Sequence, residues 1–308
     1  VSLLDVKNLK VYYPIKGGIL GRTIGYVKAV DGVSFTIEPG QTLGLVGESG
    51  SGKSTTGRAI LGLEPIAGGK IFFGDENITA YIGRNRSLYR KSVQMIFQDV
   101  YSSLNPRMRV KDIIAEPLRN FEKLTPLQEQ KRIEELLAIV GLPATAALKY
   151  SFEFSGGQRQ RIGIARAVAL KPQLIVADEP VSALDLSVQA QVLKYLKQIQ
   201  QELKLAYLFI SHDMGVVKHM CETLAIMHNA RFVEFGSRDD VYENPRHIYT
   251  RRLIAAIPNP NPVMRRQNAE NRRHVNRLFE TEYDQYYSQD GRAYDLKKVS
   301  ATHYVARP

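Results

Sequence analysis

The sequence predicts an α/β protein, and three observations carry that expectation. Residues 42–46 form an apolar run, Thr42-Leu43-Gly44-Leu45-Val46, that reads as a buried strand. It passes directly into Gly47-Glu48-Ser49-Gly50-Ser51-Gly52-Lys53-Ser54, a complete G-x-x-x-x-G-K-[ST] phosphate loop, and residues 55–61 then read as a helix. Two further apolar runs, 174–177 and 207–210, end in polar residues and are separated by helical stretches, the alternation of an α/β sheet.

The loop is the strongest chemical signal. Its glycines let backbone N–H groups turn inward around phosphate oxygens, and the helix N-terminus adds partial positive charge. Lys53 would reach the β- and γ-phosphates, and the Ser54 hydroxyl would ligate Mg²⁺.

Composition narrows the class. At 308 residues the chain can bury a sizeable core as one large domain or two smaller units. Cys221 is its one cysteine, so an intrachain disulfide and a cysteine metal cluster are both excluded, and the usage fits a reducing compartment. No stretch approaches the roughly 18 apolar residues that span a bilayer. Residues 1–5 lack the charged-then-apolar pattern of a signal peptide. The net charge is +11, of which residues 258–308 hold nine Lys/Arg against six Asp/Glu, so the charge is spread over the chain and reads first as solvated surface.

Taken in order, residues 1–46 alternate like antiparallel strands. A strand is expected over 3–13, a Gly- and Lys-containing excursion over 14–25, and further strands over 26–30 and 33–37 before Pro39-Gly40 turns the chain. Tyr12 and Tyr13 sit where a ring could stack on an adenine. Strand neighbours face opposite sides, so one packs inward; Tyr13 is the favoured stacking residue. Residues 68–74 and 93–97 read as short strands, the second ending at Gln98-Asp99. A glutamine there can reach Mg²⁺ and an attacking water, although a solvated amide is the commoner role.

Residues 101–149 turn helical. Thr125 is placed as N-cap, Pro126 at N1 and Gln128 at N3, while Ile133, Leu136, Leu137 and Val140 form a core stripe that Gly141 ends. Phe154-Ser155-Gly156-Gly157-Gln158 precedes a helix expected over 159–170, so a second anion site opens at a helix N-terminus. The run 174–177 ends in Asp178-Glu179. Asp178 would hold Mg²⁺ through its water shell, and Glu179 would orient or deprotonate the attacking water. Ser182-Ala183-Leu184-Asp185 leads into a helix over 186–203. The strand at 207–210 ends at Ser211-His212-Asp213, where His212 suits a γ-phosphate contact. Short strands are expected over 224–227 and 230–235. Pro258-Asn259-Pro260-Asn261-Pro262 marks a boundary. Beyond it lies a basic, tyrosine-bearing segment that could bind nucleic acid, but reads better as an appended strand-and-helix extension.

Together these motifs resemble the ATP-binding subunits of ABC transporters, over residues 1 to about 235. The Ser-Gly-Gly-Gln stretch followed by Arg159-Gln160-Arg161 is highly specific for that family. Met95-Ile96-Phe97-Gln98-Asp99 with Ser102-Ser103-Leu104-Asn105-Pro106, Glu116-Pro117-Leu118, and Asn244-Pro245-Arg246-His247-Ile248-Tyr249-Thr250 leading to Ala256-Ile257-Pro258 are similar to the oligopeptide/dipeptide importer branch, and there to the second of its two ATPases.

The resemblance implies an α/β P-loop NTPase with a RecA-like mixed sheet as its core. An antiparallel β subdomain and an α-helical signature subdomain inserted at about 101–164 would complete a nucleotide-binding domain over 1–257, with a C-terminal extension over 258–308. It implies ATP and Mg²⁺, with residues 47–55, Tyr13, 155–158 and Asp185 around the nucleotide, and Lys53, Gln98, Glu179 and His212 in catalysis. Ser54, Gln98 and Asp178 would hold the metal. Two such domains would close head to tail on two ATP molecules, Ser155, Gly156 and Gly157 of one facing the γ-phosphate held by Lys53 and Ser54 of the other.

The implied partners are two transmembrane permease subunits, a second ATPase subunit and an extracytoplasmic peptide-binding protein. The implied place is the cytoplasmic face of the membrane, with residues 98–117 against the membrane subunits. Import of another small solute such as nickel, or a non-transport ATPase acting on nucleic acid, are the alternatives. Three features depart from the family pattern. Phe154 stands where Leu is commonest, Ile248 replaces the usual proline, and the cysteine cluster that many relatives carry is missing, so no iron–sulfur centre is expected.

Overall fold

Alternating apolar residues make the first 37 residues a long hairpin. In the computed structural model, which describes residues 2–17, 21–81, 87–99, 103–258 and 261–308, β1 (Leu4–Gly17) pairs antiparallel with β2 (Arg22–Ile37) along its whole length. The excursion expected over 14–25 is therefore mostly strand. Pro14 stands opposite Tyr26 and Ile15 opposite Gly25, and shifts of register absorb the proline and glycines that suggested a loop. Residues 18–20, Tyr101, Ser102, Asn259 and Pro260 lie outside the described residues.

The elements that follow are β3 (Thr42–Val46), α1 (Lys53–Ile60), β4 (Gly68–Phe73), β5 (Glu76–Asn77), α2 (Ser87–Ser92) and β6 (Val93–Ile96). Then come α3 (Val110–Phe121), α4 (Pro126–Ile139), α5 (Gly156–Val168), β7 (Leu174–Asp178), α6 (Leu186–Leu203), β8 (Ala206–Ser211) and α7 (Met214–Met220). The last stretch holds β9 (Thr223–His228), β10 (Arg231–Ser237), α8 (Arg238–Glu243), α9 (Ile248–Ala255), α10 (Arg265–Thr281), α11 (Tyr283–Tyr286), β11 (Leu296–Lys298) and β12 (Tyr304–Ala306).

The chain divides into two units. The first comprises residues 1–37, 42–80 and 209–308. It holds an antiparallel sheet in the order β2-β1-β4-β5 and a mixed sheet. In the mixed sheet β3 runs parallel to β9, while β10 is antiparallel to both β9 and β12. β3 is buried at every position, as a strand covered on both faces must be, and Leu224, Ala225, Ile226 and Met227 of β9 are buried beside it. The residues beyond 260 add α10, α11, β11 and β12 to this unit, β12 pairing with β10 at Val305–Glu234.

The second unit comprises residues 38–41 and 81–208. Its strands β6 and β7 pair in parallel, Ile96 opposite Ala177. Its helices bury Ile113, Ile114 and Leu118 of α3, Ile133, Leu136 and Leu137 of α4, and Ile162, Ile164 and Val168 of α5. The cap read at the start of α4 is present: the Gln128 N–H donates to Thr125 Oγ1 and the Thr125 N–H to Gln128 Oε1. Such a cap stabilises a helix by about 1 kcal/mol. α5 begins at Gly156, three residues before the expected helix start, because Ser155 and Gln158 form the same reciprocal box. Among the described residues no helix is long and apolar enough to cross a membrane.

Candidate functional site

The first unit carries the phosphate loop between β3 and α1. Gly52 caps α1 with φ 108°, a conformation that L side chains rarely adopt, and a Cβ there would stand 2.2 Å from the Ala29 carbonyl oxygen. The Lys53 side chain is buried. Its ammonium donates to the Glu48 carbonyl oxygen at 2.8 Å and reaches Ser51 Oγ at 3.5 Å, which meets its need for acceptors inside the loop. Glu48, Ser49 and Gly50 form the exposed crest, while Gly47 and Ser51 are buried and Ser54 and Thr55 are half-buried.

Two tyrosines flank this loop from β1. The Tyr13 hydroxyl donates to Glu64 Oε2 at 2.8 Å and interacts with the Thr55 side chain. Burial and the Glu64 carboxylate raise its phenol. Tyr12 points to the other side, its hydroxyl donating to the buried Asp31 at 2.5 Å, and burial and Asp31 push its phenol up to about 12. Burial works to raise the Asp31 carboxyl, but the Tyr12 hydroxyl and the Arg292 guanidinium outweigh it and hold the group low. His212 sits in the same unit, exposed between β8 and α7, next to Asp213, whose Oδ1 accepts the Gly215 N–H and caps α7.

The second unit carries the acids and the signature turn. Asp178 is the last residue of β7 and is 2% exposed. Glu179 follows in a left-handed conformation, φ 47°, and its Oε2 accepts the Gln98 side-chain amide at 2.9 Å. Gln98 lies just past the end of β6, so the parallel pairing of β6 and β7 brings the two polar strand ends side by side. Ser155 and Gln158 are joined by the α5 capping box, which leaves the amides of Gly156 and Gly157 at the first two helical positions. Gly157 is demanded by space: a Cβ there would stand 2.2 Å from Val188 Cγ1 of α6. Asp185 is the exposed N-cap residue of α6.

The structure thus joins Glu48, Ser51 and Lys53, joins Tyr13 to Thr55, joins Gln98 to Glu179, and joins Ser155 to Gln158. It also displays a contact that the sequence did not suggest. The Glu48 N–H donates to the Tyr249 hydroxyl at 2.9 Å, and the Glu48 carboxylate lies 3.4 Å from the Arg252 guanidinium. Glu48 and Tyr249 are 201 residues apart, so no local pattern could have pointed to the pairing.

The ABC transporter family profile matches residues 30–182, and the profile of the oligopeptide/dipeptide transporter C-terminal region matches residues 233–280. The chain is 56% identical over 307 residues to the oligopeptide transport ATP-binding protein OppF of Lactococcus lactis subsp. lactis, covering 100% of this chain and 96% of that one. It is 46% identical to OppF of Bacillus subtilis, covering 99% and 95%. Among solved structures, an ATP-binding cassette in a dimeric post-hydrolysis state with ADP and Pi superposes with a TM-score of 0.66 at 24% identity, over 76% of this chain and 98% of that one. At that identity the likeness speaks for the fold alone.

Proposed function

The chain belongs to the ATP-binding subunits of ABC transporters, in the oligopeptide importer branch, and on that premise we propose how its residues divide the work. It hydrolyses ATP to drive uptake of oligopeptides as part of a permease complex with membrane subunits. The relatives that match over its whole length are oligopeptide transport proteins, so neither nucleic acid nor another small solute is favoured as its business.

The observation that carries the mechanism is that one chain opens two helices, α1 and α5, on glycine-bearing turns, each suited to hold an anion. One molecule of ATP has one γ-phosphate, so two such sites suit a pair of domains closing head to tail on two nucleotides. Lys53 and the loop amides hold the β- and γ-phosphates of one ATP. Ser155, Gly156 and Gly157 of the other domain face its γ-phosphate, and Asp185 contributes to the same nucleotide site. Tyr13 stacks on the adenine, supported by its anchored hydroxyl.

Glu179 orients the attacking water and accepts its proton, while the Gln98 amide keeps the carboxylate aimed. The water oxygen bonds to the γ-phosphorus as the bond to the β–γ bridging oxygen breaks, giving ADP and phosphate. His212 donates to the γ-phosphate oxygens as charge develops. Ser54, Gln98 and Asp178 offer a hydroxyl, an amide carbonyl and a buried carboxylate, the hard oxygen donors that suit Mg²⁺, and these residues would hold it. Bound there, the ion neutralises charge on the phosphate oxygens.

The partners fitting this reading are two permease subunits, a second ATPase chain and an external peptide-binding protein, with this subunit on the cytoplasmic face. The test is a pull-down of the tagged chain from detergent-solubilised membranes, with co-purifying proteins identified by mass spectrometry. Two polytopic membrane proteins and a second ATPase are expected. Recovery of nucleic acid or ribosomes without membrane proteins would overturn the reading.

A further inference from the structure

We infer that Tyr249 is a positioning residue for the phosphate loop, and that the C-terminal extension acts on nucleotide binding by holding Tyr249 in place. The inference rests on the reading of residues 47–54 as the nucleotide loop.

The geometry runs in one chain of contacts. Tyr249 lies on α9, and its hydroxyl accepts the N–H of Glu48, the second residue of the loop. The carbonyl of that same residue accepts the Lys53 ammonium at 2.8 Å. One side chain therefore fixes the amide on one side of Glu48, and the phosphate-binding lysine grips the carbonyl on the other. Moving the Tyr249 hydroxyl moves the residue on whose carbonyl Lys53 rests. The Arg252–Glu48 ion pair backs this contact, but both side chains are more than a third exposed, so it counts for less than the buried tyrosine.

Tyr249 is fully buried, and part of its seat is built from the extension. Its ring lies 4.1 Å from that of His228 at the end of β9 and 6.3 Å from that of Phe279 in α10. Phe279 also carries the Arg252 guanidinium 4.7 Å from its ring centroid. Tyr287 hydrogen-bonds His228 Nδ1 at 2.8 Å and stacks on Tyr283 at 4.2 Å. Phe279 of α10, Tyr283 at the start of α11 and Tyr287 just past its end bring their three rings together.

A second set of tethers reaches the same loop from the far side. The Ser51 carbonyl accepts the Ala230 N–H at 3.1 Å, in the turn between β9 and β10. The preceding Asn229 side chain donates to the Gly291 carbonyl at 3.4 Å. Arg292 pairs with the buried Asp31 at 3.2 Å, and the Asp31 N–H donates to the Ala230 carbonyl at 2.8 Å. The extension thus holds both the residue that contacts Glu48 and the turn that contacts Ser51. A segment that only covered hydrophobic surface would have no reason to tie down both ends of one loop.

The test uses the full chain and two variants. Tyr249→Phe keeps the buried ring and removes the acceptor for the Glu48 N–H. Phe279→Ala touches no loop atom and acts through the seat of Tyr249 and, more weakly, through the exposed Arg252 that its ring carries. The first readout is hydrogen exchange of the peptide covering residues 44–54 in nucleotide-free protein. Both variants are expected to speed it about tenfold, as loss of one such bond implies. The second readout is steady-state hydrolysis: KM for ATP is expected to rise about tenfold, with a smaller fall in kcat.

Unchanged exchange at 44–54 in Tyr249→Phe overturns the positioning role, whatever ATP does. Faster exchange in Tyr249→Phe but not in Phe279→Ala overturns the part given to the extension. A wild-type chain that fails to bind ATP overturns the nucleotide reading instead, and the exchange result still decides the inference.

Discussion

The Gln98 side-chain amide donates to the Glu179 carboxylate at 2.9 Å, so two strand ends 81 residues apart hold each other's polar groups. A carboxylate gripped in this way is aimed before substrate arrives. Replacing Glu179 by Gln keeps the size and removes the base. ATP turnover is expected to fall by ~10²–10⁴-fold with binding retained. Gln98→Leu, which frees the carboxylate without removing it, is expected to cost roughly tenfold. Phosphate release and equilibrium binding of a fluorescent ATP analogue check both. Rapid turnover by Glu179→Gln would end the assignment of Glu179 as base.

The signature turn separates folding from chemistry. Ser155→Ala loses the α5 cap and is expected to destabilise the chain by about 1 kcal/mol. Ser155→Asp keeps a good capping side chain but sets a negative charge where a phosphate would sit. Its urea midpoint is expected to stay near wild type while ATP hydrolysis is lost. A Ser155→Asp chain that hydrolyses ATP normally would mean that this helix end meets no phosphate.

Gly157 answers to packing. A methyl at Gly157 would meet Val188 Cγ1 at 2.2 Å, so α5 and α6 must part or Val188 must turn. Gly157→Ala is expected to cost about 1–3 kcal/mol, as overpacking of a tight contact does. The double variant Gly157→Ala/Val188→Ala is expected to recover part of it. Denaturant midpoints of the four chains measure the coupling.

Acid should loosen the aromatic seat. Burial, helped by the Arg252 cation, lowers His228 to about 4, and burial, helped by His228, lowers His247 to about 3. Tyr287 bonds His228 Nδ1, and His247 Nδ1 accepts the Tyr249 N–H, so both rings serve the fold neutral. Unfolded histidines take up protons near pH 6.5, and the folded ones do not until far lower. Their contribution is whole above pH 6.5 and is lost as pH falls toward 4, with a slope approaching about 1.4 kcal/mol per pH unit for each ring. Urea midpoints between pH 7.5 and 4.5 are expected to fall on acidification, and His228→Gln to flatten the curve.

The motifs of the candidate site were legible in the sequence because each is written in consecutive residues. The loop from Gly47 to Ser54, the acids closing β7 and the serine opening α5 each form a local motif whose geometry follows from its own backbone. The hairpin was read too short because Pro14 and Gly25 look like loop residues. They pair within β1 and β2 because shifts of register make room for them. The start of α5 was read three residues late, since the glycines that weaken a helix interior stand at its first turn, where the Ser155–Gln158 box holds them. Tyr249 was passed over because its meaning lies in Glu48. A side chain that serves a distant backbone amide leaves no periodicity behind.

The left-handed backbone at Glu179 has a consequence for how the chain can be improved. A residue with a Cβ at φ 47° sits roughly 1–2 kcal/mol above its preferred conformation. Glycine would relieve that strain, so Glu179→Gly is expected to melt higher than the natural chain while hydrolysing nothing. Selection for thermal robustness alone would then discard the carboxylate proposed to activate water. Screens for hardier variants must be scored on turnover, because at this position the sturdiest molecule is the idle one.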